Sequence, residues 1–316
     1  MKGCSGIAAV VVGAVANFLL ANAAMAAPMA FVASTGDDTN PCTRAQPCKT
    51  LVRAAFVVDA LGEVNCLDSG PFEFGGFTFS KSTTIDCAGL HVIDLANFGA
   101  FQLNGHVVKI RNLTISGVSG GWPAVRILGG GTLIIENCVF ENFKASGARA
   151  IDITLSGGSF SLIMTNSRVS NSTAGNILIR PTDNATVSAV FDRVTVTQST
   201  FGIKADGSGQ SGGQIDVEVR DSIVAHHSTN GFISVSDAGQ APIHFKVTRS
   251  SAANNMAFGA VASGAQAFMI LGGTTLTKNG TGLAQLNGAT VASYGNNEIN
   301  FNTTNTSGTI TLIGLK

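Results

Sequence analysis

Residues 106–117, HVVKIRNLTISG, decide the fold, because their pattern returns along the chain. Later copies read GTLIIENCVFEN, FSLIMTNSRVSN, VSAVFDRVTVTQ, IDVEVRDSIVAH and IHFKVTRSSAAN. Each copy alternates apolar and polar residues around a polar centre. A fixed period of this kind is typical of a repeat architecture. Equivalent anchor positions recur every 23–29 residues, at Ile85, Ile110, Ile135, Met164, Phe191, Val219, Val247, Leu271 and Tyr294.

A second short strand lies between successive anchors and repeats as well. Its copies read PAVRIL, RAIDITL, GNILIRP, FGIKADG, GFISVSD and FGAVASG. No repeat contains a helical stretch, so α-solenoids and leucine-rich repeats are excluded. The pattern predicts an all-β fold, a right-handed parallel β-helix of about ten coils. We expect the inward residues of the second strand to be Ile127, Ile153, Ile179, Ala205, Val235 and Ser263.

Polar residues also recur in the turn seven positions after the anchors. Stacked amides can hydrogen bond from coil to coil, as they do in cross-β structures. The sequence therefore predicts an amide column made of Asn142, Asn171, Gln198, His226 and Asn254.

Composition and the N-terminus point to an exported protein. The 316-residue chain has 12% charged residues, 38 glycines and a formal net charge of zero, with its basic residues scattered. This pattern predicts no nucleic-acid partner and no anionic-membrane footprint. Residues 1–26 combine an apolar run with an Ala24-Met25-Ala26 ending, which predicts a signal peptide and a secreted or periplasmic protein. A retained transmembrane anchor is the alternative; after cleavage we expect no membrane span.

Residues 27–62 are predicted to form an N-terminal cap on the β-helix of residues 63–316. Cys42 and Cys48 flank a short loop and are expected to form a disulfide, with a metal site as the less favoured reading. Thr50 is a candidate N-cap for a helix over residues 51–61. Cys66 and Cys87 lie about one coil apart and are predicted to form a second disulfide.

Four segments carry a family resemblance: FVASTGDDTNPCTRAQPCKTL, VNCLDSG, TTIDCAG and SYGNNEIN. The chain resembles exported bacterial right-handed parallel β-helix repeat proteins of the pectate-lyase-like superfamily. The resemblance implies the fold and export, and no established activity. Hydrolases of this superfamily typically show Asn-x-Asp, Asp-Asp and Gly-His-Gly on successive coils, and no such set occurs here.

The outward residues of the second strand form the best candidate ligand-binding face. Two carboxylates and three cations would line it beside the single tryptophan, an arrangement suited to sugar hydroxyls or uronates. The same charges also fit cross-strand ion pairs that need no ligand, Arg126 with Asp152 and Arg180 with Asp206. The candidate residues are Trp122, Arg126, Asp152, Arg180, Lys204 and Asp206.

The remaining polar groups favour structural roles. On the other outward face we expect pairs of Arg111 with Glu136, Asp192 with Arg220 and Glu218 with Lys246, and Asp221 between Arg193 and Arg249. His226-His227 could bind a metal or act as a base, but the place of His226 in the predicted amide column already accounts for this residue. We expect no metal and no cofactor. Cys138 aligns with Leu113 and is predicted to be a buried, inert thiol.

Three functions remain open: a non-catalytic polysaccharide-binding or cell-surface scaffold, a divergent polysaccharide lyase or glycoside hydrolase, and a structural protein that stacks on a partner. The missing catalytic motifs favour the first. The sequence identifies neither the ligand nor the oligomeric state, and no catalytic residue is assigned.

Overall fold

The computed structural model of the chain describes residues 27–72, 76–94, 100–117 and 123–314. The predicted signal peptide and Trp122 lie outside these residues. Within them the chain is an all-β parallel solenoid of about eight turns. That is slightly fewer than the ten predicted. No described helix is long and apolar enough to span a membrane.

Two parallel sheets run the length of the described stack. The first sheet has 19 described strands: Ala27–Val32, Val58–Cys66, Thr83–Asp94, Val107–Gly117, Gly131–Glu136, Val139–Glu141, Ser159–Thr165, Arg168–Ser170, Thr186–Asp192, Thr195–Thr197, Gln214–Arg220, Ile223–Ala225, Ile243–Thr248, Ser251–Ala253, Ala267–Gly272, Thr275–Thr277, Thr290–Ser293, Glu298–Asn300 and Ile310–Leu312. The second has ten: Phe77–Thr78, Ala100–Gln102, Val125–Ile127, Ile151–Ile153, Ile177–Ile179, Phe201–Asp206, Asn230–Val235, Phe258–Ser263, Thr281–Leu286 and Thr304–Ser307.

The anchor register is confirmed from Ile85 to Leu271, where each anchor pairs with the next one along the chain. The predicted anchor at Tyr294 is wrong by one residue, because Ser293 is the residue that pairs with Leu271. Tyr294 follows the strand, and its ring lies so close to Gly272 that a Cβ there would meet it at 2.5 Å. A glycine in the preceding coil therefore makes room for the tyrosine outside the core.

The second-strand register is confirmed through Ala205 and then shifts by one residue. Ala205 pairs with Ser234, and Ser234 with Ala262, so Val235 and Ser263 are not the inward positions. Phe232 explains the shift. Its fully buried ring packs against Phe245 with a 6.2 Å centroid separation. Since side chains alternate along a strand, burying Phe232 sends Val235 outward.

The predicted cap helix is shorter than expected. It spans Leu51–Val57, and the Thr50 side chain accepts a hydrogen bond from the Arg53 amide at 3.1 Å. The chain then enters strand Val58–Cys66, which pairs with strand Ala27–Val32. Leu61, the last residue of the predicted helix, lies in this strand and is 83% exposed. Strand pairing with the N-terminal segment thus overrides helix propensity after Val57.

Both predicted cysteine pairs lie at disulfide distance. The Cα atoms are 4.6 Å apart in Cys42–Cys48 and 4.5 Å apart in Cys66–Cys87. The first pair closes the loop before the helix. The second joins neighbouring strands of the first sheet, as its near-coil spacing predicts.

The predicted amide column is wrong in its position. Asn171 donates to Asn142 Oδ1 at 2.6 Å, but Gln198, His226 and Asn254 are exposed. The hydrogen-bonded ladder lies one residue further along, at His227, Asn255, Asn279 and Asn302. The predicted column consists instead of left-handed turn residues with φ of 56–66°. Its amides are favoured there because Asn tolerates positive φ.

Candidate functional site

The outward face of the second sheet is recessed. Arg126, Asp152, Leu178 and Lys204 pair in sequence, one per coil. Although they point away from the core, Asp152 is 2% and Leu178 6% exposed. We call these four residues, with Arg180 and Asp206 at the strand ends, the recessed strip. The structure thus brings the predicted second-strand residues onto one face.

Asp152 is the centre of the first charge cluster in the recessed strip. Its Oδ2 lies 3.0 Å from Arg126 and 3.8 Å from Arg149. Oδ1 is buried and has no hydrogen-bond partner among the described residues. The Arg126–Asp152 pair confirms the predicted ion pair, and Arg149 is a third member that strand alternation alone did not reveal.

Lys204 and Asp206 form the second cluster, 2.8 Å apart on one strand. Asp206 also accepts hydrogen bonds from the Ser208 amide at 3.1 Å and the Ser208 hydroxyl at 2.6 Å, and so caps the 3₁₀ turn Gly207–Gly209. Burial raises the pKa of Asp206, but the bonds from Lys204 and Ser208 outweigh it and the net pKa is lowered. The carboxylate is therefore held in its ionised form.

Arg180 does not form the predicted ion pair with Asp206. Its side chain is exposed, and it makes no ion pair with another described residue. The reason is local: Lys204 and Asp206 are two positions apart on one strand and so share a face, whereas Arg180 lies just past the end of strand Ile177–Ile179. Arg180 remains an available cation at the edge of the recessed strip.

The same outward column becomes apolar in the later coils. Lys204 pairs with Ile233, which is followed by Val261 and Ala284. These three residues are 0–5% exposed and form a separate hydrophobic cluster. The surrounding partly buried residues are Phe201, Val235, Phe258 and Leu286. The charged part of the face therefore ends at Lys204 and Asp206.

Most of the ion pairs predicted on the first sheet are confirmed. Lys246 lies 3.5 Å from Glu218, Arg220 3.4 Å from Asp192, and Arg249 2.7 Å from Asp221. Two of the predictions are wrong: Arg111 was paired with the wrong carboxylate, and Arg193 forms its ion pair with Asp192, at 2.8 Å, instead of with Asp221.

Arg111 turns toward the preceding coils, to Glu63 at 2.7 Å and Asp86 at 2.8 Å. Glu136 instead lies 3.5 Å from Lys109. Two carboxylates on the N-terminal side of Arg111 outweigh a single one on the other side.

Sequence reasoning missed a depression of about 210 Å³ on the outward face of the first sheet. His244 Nδ1 lies 3.0 Å from Asp216 Oδ1 at its edge. The anchor register already carried the signal, because it places both residues outward on successive coils. We call this the first-sheet pocket; its outward lining residues are Ser188, Val190, Asp216, Glu218, His244 and Lys246.

The remaining candidate reactive groups are buried. Cys138 is 1% exposed, which confirms the predicted burial, and this burial raises the pKa of its thiol to about 12 and so favours the protonated form. His227 is also 1% exposed, and burial lowers its pKa to about 4. Within the described ranges, no three His, Cys, Asp or Glu side chains converge on a common metal position.

Comparison with known proteins adds no assignment: no family model matches the chain, and no curated protein or solved structure gives a significant match.

Proposed function

We propose that this protein is an exported scaffold that binds an acidic polysaccharide along the recessed strip without cleaving it. The observation that carries the proposal is an excess of positive charge in a recessed face. The three cations of the strip and the adjoining Arg149, which contacts Asp152, stand against the two carboxylates Asp152 and Asp206. The local formal charge is therefore +2, on a chain whose formal net charge is zero. Such a surface complements uronate carboxylates.

The spacing of the strip also suits a polymer. Successive coils are about 4.8 Å apart, close to the length of one saccharide unit, so a chain could contact several coils in the same way. Asp206 is kept ionised, which is unsuitable for the general acid of a glycoside hydrolase.

Two cysteine pairs at disulfide distance support an extracytoplasmic location, because disulfides persist in oxidising compartments. The disulfides and the resemblance to exported β-helix proteins together support export. They leave periplasm, medium and cell surface as alternatives.

Affinity electrophoresis of the mature protein through gels containing polygalacturonate, alginate or neutral xylan tests the proposal. We expect retardation by the acidic polymers that weakens as salt is added, because exposed charges are screened. Arg180→Ala should reduce retardation without changing the melting temperature. Arg168→Ala is the matched control, since Arg168 is an exposed arginine on the first sheet.

Retardation by xylan equal to that by polygalacturonate would contradict charge-based recognition. A normal mobility of the wild-type protein in every gel would remove polysaccharide binding as the function.

A further inference from the structure

The first-sheet pocket has a floor of short side chains bounded by longer ones. Ser188, Asp216 and His244 pair in one register column, and Val190, Glu218 and Lys246 in the next. Because Ser188 and Val190 are short, the longer residues of the next two coils stand above them. The result is an open depression of about 210 Å³, enough for a small acyl group and one water molecule.

His244 is oriented by two neighbours at the edge of the pocket. His244 Nδ1 lies 3.0 Å from Asp216 Oδ1 and 3.3 Å from Gln214 Nε2. We place the proton on Nδ1, because the shorter contact is to a carboxylate, which only accepts hydrogen bonds. Gln214 Nε2 donates to both Asp216 oxygens at 2.8 Å and fixes the carboxylate. The Phe268 ring lies edge-on to the imidazole, 6.1 Å between centroids.

This tautomer leaves a lone pair on His244 Nε2. No described residue hydrogen bonds to Nε2, and the side chain is 57% exposed. An oriented imidazole with a free lone pair is the arrangement of a general base, with the carboxylate stabilising the imidazolium that forms.

Lys246 supplies a positive charge beside this base. It lies two residues along the same strand and on the same face, so its Cα atom is about 6–7 Å from that of His244. Its ammonium group is 3.5 Å from Glu218 and 47% exposed, so it can turn toward a bound substrate. Ser188 lies two coils from His244, which separates their backbones by about 9–10 Å. This is too far for Ser188 to be a nucleophile activated by His244.

We propose that the first-sheet pocket hydrolyses esters of short-chain carboxylic acids, with water as nucleophile and His244 as general base. Nε2 takes a proton from water as the oxygen attacks the ester carbonyl carbon. Lys246 stabilises the negative charge on the carbonyl oxygen. The tetrahedral adduct then breaks its bond to the alcohol oxygen, which receives the proton from the imidazolium. One ester and one water give one acid and one alcohol, and no cofactor is consumed.

The activity is separate from polysaccharide binding, since it uses the opposite sheet and none of the residues of the recessed strip. A failure of either proposal therefore leaves the other intact.

Hydrolysis of 4-nitrophenyl acetate by the purified mature protein tests the inference. We expect His244→Gln to lower kcat/KM at least about tenfold, since general-base catalysis contributes about 10²–10⁴-fold. His226→Gln is the matched control, because it removes an exposed histidine that has no carboxylate partner among the described residues. It should leave the rate unchanged. Equal rates for wild type and His244→Gln, or equal losses in the two histidine variants, would overturn the proposal.

Asp216 is tested as a positioning residue. Asp216→Asn should lower kcat with KM unchanged, and Asp216→Glu should recover part of the loss. Lys246→Met should also lower kcat/KM, while a rate equal to that of wild type would remove its oxyanion role. All these side chains face outward, so unchanged melting temperatures should accompany every change in rate.

Discussion

Two neighbouring columns of side chains run along the same turn of the solenoid and use similar residues in opposite ways. The outer column, Asn142, Asn171, Gln198, His226 and Asn254, has positive φ and is half-buried or exposed. The inner column begins one residue later, at His227, and continues through Asn255 and Asn279, which are 1–3% exposed. The residues of the outer column therefore adopt the left-handed turn conformation, whereas those one position later make the buried hydrogen bonds.

The inner column is a ladder with a fixed pattern. Asn279 Oδ1 accepts from the Asn255 amide at 3.0 Å, and Asn279 Nδ2 donates to the Ala252 carbonyl at 2.9 Å. Asn255 and Asn302 repeat both bonds in their own coils. His227 is the first rung, with Nε2 3.3 Å from the Val196 carbonyl.

The comparison shows that burial, more than residue type, determines how much an amide side chain contributes to the free energy of unfolding. A buried group that loses its partner is left unsatisfied, while an exposed one is satisfied by water. The effects of substitutions in the two columns should therefore differ in size and in one case in sign.

Asn279→Leu should have the largest effect. It removes the partner of the Asn255 amide and the side-chain bond to the Ala252 carbonyl, and it leaves the Asn255 side chain with only its bond to the Val224 carbonyl. Each buried group that loses its partner costs about 1–3 kcal/mol. We expect a loss of about 3–5 kcal/mol, measured as a shift of the urea midpoint. An unchanged midpoint would mean that the ladder contributes nothing to stability.

Acidification should lower the free energy of unfolding, and this effect should be the next largest. Burial depresses the pKa of His227 from 6.5 to about 4, so the unfolded chain binds the proton more readily than the folded one. The contribution of His227 is complete above pH 6.5 and is lost between pH 6.5 and about 4, by roughly 3 kcal/mol in total. Urea unfolding across this range measures it.

His227→Asn sharpens this prediction. The amide can keep the bond to the Val196 carbonyl but has no proton to gain, so the pH dependence between 6.5 and 4 should shrink. His226→Asn, in the exposed column, is the control and should leave it in place. If the pH profile of His227→Asn follows that of wild type, another group controls the acid response.

Asn171→Leu should cost less than Asn279→Leu. It removes the side-chain bonds to Asn142 and Lys144 and places leucine at φ 64°, a strain of about 1–2 kcal/mol. Asn171→Gly separates the lost hydrogen bonding from the backbone strain, because glycine adopts that φ without strain. Melting temperatures of the three variants measure the order; equal losses for Asn171→Leu and Asn279→Leu would break the distinction between the columns.

Lys278→Gly should have the smallest effect and the opposite sign. Lys278 continues the outer column with φ 55° and is exposed. Glycine relieves the left-handed strain at some cost in unfolded-state entropy, for a net gain of about 0.5 kcal/mol. A lower melting temperature would show that the Lys278 side chain makes a stabilising contact.

The sequence predicted the repeat well because a buried strand imposes alternation at every coil. Anchors from Ile85 to Leu271 and second-strand residues through Ala205 are in register, and both cysteine pairs follow from spacing. The errors occur where another contact competes with the repeat. Phe232 takes an inward position, Tyr294 lies over Gly272, and strand pairing ends the cap helix at Val57.

The candidate sites were predicted less completely. Strand alternation placed Arg126, Asp152 and Lys204 on one face, but it could not show that this face is recessed or that Arg149 reaches Asp152. Asp216 and His244 lie on adjacent coils of the anchor register, yet the depression beside them depends on side chains from three coils.

The sequence by itself determined the coil period, the inward faces of most strands and the cysteine pairing, since each follows from a local pattern that every coil repeats. The tertiary structure alone decided which turn amides are buried, which cations remain available and where the outward face becomes apolar. Those properties depend on how much neighbouring coils cover a side chain, and that coverage is set by residues about one coil away rather than by the residue itself.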